Sequence, residues 1–227
     1  NKTITVSGIT LSSANDGGNY TLSTTTGTAS AKITPLALTV TGTSVTPKTY
    51  DGNTTATLVG GAVGGALTGD TATLTQAGSS NDKNAGTGKT VTAADSLGGA
   101  QAGNYNLIQP TGLTGTITAK PLTVTYTGVD KVYDGLDTAT VNTSDNRITG
   151  DSLSIVRTAN FVNGIGIADK NVAYSGSTVI AKNISVTGAS LSGTDALNYT
   201  LATTTATANA TITPAPLTMR ANNDAKF

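Results

Sequence analysis

One five-residue stretch occurs twice in this 227-residue chain, as Lys48-Thr49-Tyr50-Asp51-Gly52 and again as Lys131-Val132-Tyr133-Asp134-Gly135. In each copy a Thr-interleaved apolar run precedes it, which is typical of a β-strand with one buried face. Asp and Gly suit a tight turn, because Asp caps the turn with its carboxylate and Gly tolerates a positive φ. The stretch therefore predicts a strand that ends in a turn, once in each of two repeats.

Other landmarks recur in the same order, which identifies an internal repeat. Boundaries of the Ile-Thr type stand at isoleucines 33, 117 and 212, spaced by 84 and 95 residues. The other recurring markers are Gly69-Asp70 and Gly150-Asp151, Asp82-Lys83-Asn84 and Asp169-Lys170-Asn171, and Asn19-Tyr20, Asn104-Tyr105 and Asn198-Tyr199. A period of this length is too long for a solenoid unit, so we expect each repeat to form a small domain of its own.

The landmarks divide the chain into two full repeats and two partial ones. Residues 36–120 and 121–216 are the full repeats. Residues 1–35 match the C-terminal part of a preceding repeat, and residues 217–227 match the start of a further one. We therefore interpret the sequence as a section of a longer array.

The composition argues against several classes of function. The chain contains no His, Cys, Trp or Glu, and 13 basic residues balance 13 acidic ones. Without His and Cys we expect no structural zinc site, no thiol nucleophile and no Ser-His-Asp triad. A net charge of zero with scattered cations argues against nucleic-acid binding. We assign no catalytic, cofactor-binding or metal residues from the sequence.

The fold prediction rests on alternation with a period of two. Apolar and hydroxyl side chains alternate in residues 3–7, 122–126 and 206–212, and Thr and Val favour the pleated backbone. Gly, Asn, Asp and Ser separate these runs at intervals of roughly ten residues, as in sandwich-type folds. We predict an all-β fold of tandem small antiparallel β-sandwich-like domains.

We interpret the recurring tyrosines as structural rather than ligand-binding. In the Tyr-Asp-Gly segments we expect a buried ring and a hydroxyl bonded to the backbone. The Asn-Tyr pairs at 19–20, 104–105 and 198–199 resemble the tyrosine corner, in which the hydroxyl ties down a corner of a β-sandwich.

Two further hypotheses concern stiffening of the repeats. The first is calcium binding, because only oxygen ligands remain, and residues 134–137 and 142–146 cluster several of them without matching a defined calcium loop. The second is an isopeptide bond from a lysine to Asn or Asp, which needs a buried acid to shift the amine toward its neutral form. The residues available for this bond are Lys83, Asn84, Lys170 and Asn171.

The ordered markers make the chain resemble the YDG and MBG ("mostly beta, glycine-rich") modules of filamentous-haemagglutinin-like adhesins, large bacterial surface proteins exported by two-partner secretion. The resemblance rests on the Lys-x-Tyr-Asp-Gly stretches, the Asp-Lys-Asn segments, the run at 191–201 and the Ile-Thr-Pro boundaries. The middle repeat lacks the Asp found at 195, so no shared role is predicted for Asp195. The resemblance covers essentially the whole chain, and it implies a cell-surface location and a stalk or spacer role without catalysis.

We therefore expect non-enzymatic repeats of a secreted bacterial adhesin, which project a distal binding region in adhesion or biofilm formation. The expected partners are neighbouring repeats of the same chain, without nucleic acid or membrane insertion, and the chain is expected to be monomeric. The alternative is that loops of the repeats bind a glycan or a host or matrix protein. A glycosidase would need two Asp facing each other across a concave site, which small repeated domains do not suggest.

Overall fold

The computed structural model describes residues 1–12 and 17–220, which form 25 strands and three short 3-10 helices. The strands of the N-terminal half are β1 (Lys2–Ser7), β2 (Thr26–Ala31), β3 (Leu36–Thr41), β4 (Ser44–Val45), β5 (Lys48–Thr49), β6 (Thr55–Ala56), β7 (Leu58–Val59), β8 (Ala62–Gly64), β9 (Thr73–Thr75), β10 (Gly78–Ser80), β11 (Gly86–Ala93) and β12 (Ser96–Gly98). The remaining strands are β13 (Tyr105–Ile108), β14 (Leu113–Thr118), β15 (Lys120–Leu122), β16 (Val124–Val129), β17 (Lys131–Val132), β18 (Thr140–Asp145), β19 (Ser154–Val162), β20 (Tyr174–Ser175), β21 (Thr178–Val179), β22 (Lys182–Ser192), β23 (Tyr199–Leu201), β24 (Ala206–Ala210) and β25 (Ile212–Thr213). The 3-10 helices are Gly17–Asn19, Ala102–Asn104 and Ala196–Asn198.

Unit 1 is the first of two compact units, and it holds residues 1–44, 58–78 and 93–113. Strands β1 and β2 form an antiparallel hairpin in which β1 is exposed along its whole length. Strand β3 pairs with β8 in the antiparallel sense and with β13 in the parallel sense. Leu38 on β3 is completely buried.

Unit 2 holds residues 45–57, 79–92 and the described residues from 114 onward. Strands β19, β22 and β24 form an antiparallel sheet, and β16 pairs antiparallel with β18. Three parallel pairs, β5 with β14, β15 with β23 and β17 with β25, join strands that are far apart in sequence.

Two hydrophobic clusters form the interior of unit 2. The first lies within the second repeat and contains Val141, Ala159, Phe161, Ile184, Val186, Ala208, Ala210 and Ile212. The second combines Tyr50 and Ile117 of the first repeat with Leu122, Leu153, Ile155, Ala189 and Tyr199 of the second. The Tyr-Asp-Gly segment of one repeat is therefore packed into the interior of the next.

The all-β prediction is confirmed, because the described residues form strands and three-residue 3-10 helices. The four parallel strand pairs were not predicted, since alternation along one strand carries no information about the direction of its partner. The compact units cut across the sequence repeats, whose boundaries stay a prediction. Within the described residues, no helix has the length and apolar character needed to cross a bilayer.

Candidate functional site

The Lys-x-Tyr-Asp-Gly stretch folds as a turn that its own lysine holds in place. Lys48 Nζ donates to Asp51 Oδ1 and to the carbonyl oxygen of Asn53, both at 2.8 Å. Asp51 Oδ1 also accepts the amide of Asn53, and Gly52 has a φ of +79°. The same contacts recur in residues 131–136. The turn roles predicted for Asp and Gly are confirmed in both copies.

Tyr50 is placed by the parallel pairing of β5 with β14. Its amide donates to the carbonyl oxygen of Thr118 at 2.8 Å, and its ring is buried. The ring packs edge-on against Tyr199, with centroids 5.5 Å apart and planes at 76°. The predicted burial of the ring is confirmed for Tyr50 and wrong for Tyr133, which is exposed. A backbone partner for the hydroxyl is wrong for Tyr50, because Tyr50 Oη donates to the side chain of Asp151.

Tyr199 lies directly after the 3-10 helix Ala196–Asn198 and has the backbone contact of a tyrosine corner. Its hydroxyl accepts the amide of Ile148 at 2.9 Å, which confirms the predicted role of this tyrosine. Gly193 leads into the helix with a φ of +113°, and a Cβ there would lie 2.8 Å from the carbonyl oxygen of Ser152. Glycine is therefore required at this approach.

Five side chains, Tyr50, Lys83, Asp151, Asp195 and Tyr199, meet in unit 2 and are called the joint below. Asp151 Oδ2 accepts the hydroxyls of Tyr50 at 2.8 Å and Tyr199 at 2.6 Å. Asp151 Oδ1 accepts Lys83 Nζ at 3.0 Å, and Lys83 Nζ lies 3.7 Å from Asp195 Oδ1. The joint therefore connects Tyr50 and Lys83 of the first repeat to three residues of the second.

The buried Asp151 carboxylate keeps its charge because the joint supplies three donors. Burial raises the pKa of Asp151, but hydrogen bonds from Tyr199, Lys83 and Tyr50 together hold that pKa below its usual value. The hydrogen bond to Asp151, followed by the one to Tyr50, raises the pKa of Lys83. At neutral pH Asp151 and its three donors are thus a carboxylate, an ammonium group and two neutral phenols.

Alkaline titration tests this arrangement. Burial and the hydrogen bond to Asp151 raise the pKa of Tyr199 to about 12 from the ordinary 10.0. A raised folded-state pKa contributes stability that is present below pH 10 and lost as the pH rises toward 12. In a titration followed by tyrosinate absorbance, one phenol should ionise near pH 12. This transition should be absent in Tyr199→Phe. Ionisation of Tyr199 near pH 10 would contradict the buried contact with Asp151.

Two hydrogen bonds of Asn198 and the close packing of Gly52 on Ile148 support the joint. The Asn198 side chain is buried, and its Oδ1 accepts the amide of Ala85 at 2.9 Å while its Nδ2 donates to Asn84 Oδ1 at 3.2 Å. A Cβ on Gly52 would lie 3.1 Å from Cγ2 of Ile148, so the Tyr-Asp-Gly turn packs closely on the segment that carries Asp151.

The group of Ile148, Asp151 and Tyr199 has a counterpart in unit 1, and each group is called a seat below. In the unit 1 seat, Tyr105 Oη accepts the amide of Leu67 at 3.0 Å. The same hydroxyl donates to Asp70 Oδ2 at 2.6 Å. The tyrosine-corner contact is thus confirmed for a second Asn-Tyr pair, whereas Tyr20 of the remaining pair is 71% exposed. The local geometry of the seat repeats.

The position that matches Asp195 is Gln101 in the first repeat. Gln101 Oε1 accepts the amide of Thr71 at 3.0 Å, as Asp195 Oδ2 accepts the amide of Ser152 at 2.8 Å. The backbone contact is therefore shared although the charge is not. Asp195 differs from Gln101 in offering a second carboxylate to Lys83.

Two of the acidic residues in the candidate calcium segments form ion pairs with residues near them in the sequence. Asp134 binds Lys131 and Asp145 binds Arg147, and residues 1–12 and 17–220 contain no group of three or more acidic side chains placed for a metal. An isopeptide bond at Lys83 would need a neutral amine. The joint does the opposite, because it raises the pKa of Lys83 and lowers that of Asp151.

The contacts that form the joint were not predicted from the sequence. It singled out Tyr50 and Lys83 and placed Asp151 among the repeat markers, but it did not predict their contact. Asp151 lies 101 residues from Tyr50, and a repeat pattern shows which positions are equivalent rather than which ones touch. The signal available in the sequence was that all three markers recur together in both repeats.

Comparison with known proteins identifies the modules. A family model described as the YDG domain matches residues 34–112 and again residues 118–207. No curated protein and no solved structure matches the chain significantly. The two matched segments follow the two full repeats and together cover most of the sequence. The chain belongs to the YDG domain family.

Proposed function

We propose that these repeats are a non-catalytic stalk or spacer of a large secreted bacterial surface adhesin of the filamentous-haemagglutinin-like type. The stalk projects a distal binding region in adhesion or biofilm formation. The observation that carries the proposal is the joint, in which Asp151 of one repeat accepts the hydroxyl of Tyr50 from the preceding repeat. A carboxylate that accepts one phenol and one ammonium group from the preceding repeat resists separation of the repeats, as an element under tension requires.

The arrangement of the acidic residues supports a mechanical role over a hydrolytic one. A glycosidase needs one carboxyl group with a raised pKa and a second that faces it across room for the substrate. Here Lys83 lies against both Asp151 and Asp195. The pKa of Asp151 is lowered, because its three hydrogen-bond donors outweigh burial.

Binding of a glycan or of a host or matrix protein through the loops is the second candidate. It is favoured by the exposed Ile165 and Ile167, which lie between β19 and β20. Exposed apolar side chains that cluster at a loop tip mark interaction surfaces more often than isolated ones. Loss of binding to a matrix protein in Ile165→Ser, with unchanged mechanical strength, would favour this candidate over the stalk.

Force spectroscopy on the full chain tests the stalk proposal. When the chain is pulled by its ends, residues 45–57 and 79–92 should unfold together with the second repeat, because the joint ties them to it. Asp151→Asn should lower the unfolding force of unit 2. The matched control is Asp70→Asn, which changes the unit 1 seat and should leave that force unchanged. Release of the first-repeat segments well before the second repeat would contradict the proposal.

A further inference from the structure

The unit 1 seat opens onto a cleft of about 440 Å³. The cleft is lined by Leu67, Asp70, Asn104 and Tyr105, together with Ile33 and Leu36. In unit 2 the matching seat is covered by Tyr50, whose hydroxyl lies 2.8 Å from the Asp151 carboxylate. The two seats share their internal hydrogen bonds, so the difference between them lies in what covers them.

Apolar side chains around the two seats differ sharply in exposure. Ile33 is 76% exposed, whereas its counterpart Ile117 is 4% exposed. Leu36 is 46% exposed, whereas its counterpart Leu122 is 1% exposed. Burial of such apolar side chains stabilises a contact. The unit 1 cleft thus presents the surface that a Tyr-Asp-Gly segment covers in unit 2.

The backbone segment beside the cleft corresponds to a segment that pairs with a parallel strand in both full repeats. Strand β2 ends at Ala31, and residues 32–35 lie outside the strands. Their counterparts in β14 and β25 pair in parallel with β5 and β17. The carbonyl oxygens of Thr118 and Thr213 each accept the amide of the tyrosine in the paired stretch at 2.8 Å.

We propose that the unit 1 seat binds the Lys-x-Tyr-Asp-Gly segment of another YDG repeat. The segment adds as a parallel strand at Ile33 and Thr34, and its tyrosine hydroxyl donates to Asp70. This is recognition by strand addition, with main-chain hydrogen bonds for affinity and a side-chain pocket for specificity. The inference rests on the proposed function, because it makes the joint a unit of assembly that repeats along the stalk.

The chemistry of the two surfaces is complementary. The seat supplies a carboxylate that already accepts one phenol, Tyr105, and the incoming segment supplies a second phenol. The same chain shows such a segment on its surface, where Tyr133 is exposed although its turn keeps the contacts of the Tyr50 turn. In a linked array the effective concentration of a neighbouring segment is in the millimolar range, so a weak contact is enough.

Peptide titration tests the proposal. The probe is a synthetic peptide with the sequence of residues 44–57, added to the isotopically labelled full chain and followed by NMR. We expect saturable shifts of the Leu67, Asp70 and Tyr105 amides with a dissociation constant on the order of 1 mM. The amides of Ile148 and Asp151 serve as an internal control and should not move, because Tyr50 already covers their seat.

Two matched variants separate specific binding from other effects. A peptide with Tyr50→Ala should give no saturable shifts, and Asp70→Asn in the chain should weaken binding by about tenfold, as expected for loss of a charged hydrogen-bond partner. Equal saturation with both peptides would overturn the inference. So would a lack of saturation at a peptide concentration tenfold above the expected dissociation constant. Either failure would leave the force measurement on the covered unit 2 seat unaffected, so the two proposals fail separately.

Discussion

Asp151→Asn should lower the free energy of unfolding of unit 2 by about 3 kcal/mol, since it removes the charge from a buried, hydrogen-bonded network. The substitution keeps the volume of the side chain. However, the NH2 group of Asn must replace either the oxygen that accepts Lys83 or the oxygen that accepts the phenols of Tyr50 and Tyr199, and each of these partners is itself a donor. Hydrogen exchange of the β22 amides under native conditions measures this loss within unit 2.

Asp70→Asn is the matched control for this prediction. Asp70 accepts the hydroxyl of Tyr105 as Asp151 accepts that of Tyr199, but the hydrogen bonds from Tyr50 and Lys83 go to Asp151. The loss in unit 1 should therefore be clearly smaller than the loss in unit 2. Equal losses would show that the local tyrosine contact accounts for the whole effect and that the joint adds nothing.

Phe161→Ala should lower the free energy of unfolding of unit 2 by about 4 kcal/mol. The ring is completely buried in the first hydrophobic cluster, and Lys131 Nζ lies 5.6 Å from its centroid. The backbone of Phe161 also donates to the carbonyl oxygen of Asp137 and accepts the amide of Asp169. A cavity at this site should loosen the residues beneath the second Tyr-Asp-Gly turn. Faster hydrogen exchange of the Tyr133 amide would report this loosening.

Phe161→Leu is the conservative control, because it keeps most of the apolar volume and should cost about 1 kcal/mol. A loss below about 1 kcal/mol in Phe161→Ala would mean that the cluster collapses around the smaller side chain. In that case Phe161 would not support the turn. In the first repeat, Ser80 occupies the position that Phe161 has in the second. The amide of Ser80 donates to the carbonyl oxygen of Thr54, and the amide of Phe161 donates to the carbonyl oxygen of Asp137.

Local features of the fold could be predicted from the sequence because they depend on neighbouring residues. The Asx turn at Asp51, the positive φ of Gly52 and the alternation of β-strands all follow from local preferences. The tyrosine-corner contact of Tyr199 also followed from its position after Asn198. These features recur in both repeats because the residues that cause them recur.

The joint could not be predicted in this way, because it depends on contacts between repeats. The markers at Tyr50, Lys83 and Asp151 were visible, yet their order along the chain is compatible with packing inside one repeat or between two. Tyr50 instead reaches the second repeat through the parallel pair β5–β14, which sets it beside Thr118, directly before the boundary, and packs it against Leu122. Such long-range pairings carry no local signature in the sequence.

A double-mutant cycle between Tyr50→Phe and Asp151→Asn tests directly whether the hydrogen bond between these residues couples the two repeats. Tyr50→Phe removes the donor of the hydrogen bond that links the two repeats, and Asp151→Asn removes the charge of its acceptor. Hydrogen exchange of the β22 amides gives the free energy of unfolding for each variant. If the joint couples the repeats, the two losses should be non-additive by about 1 to 2 kcal/mol. Losses that add to within about 0.5 kcal/mol would show that Tyr50 and Asp151 act independently and would contradict the joint.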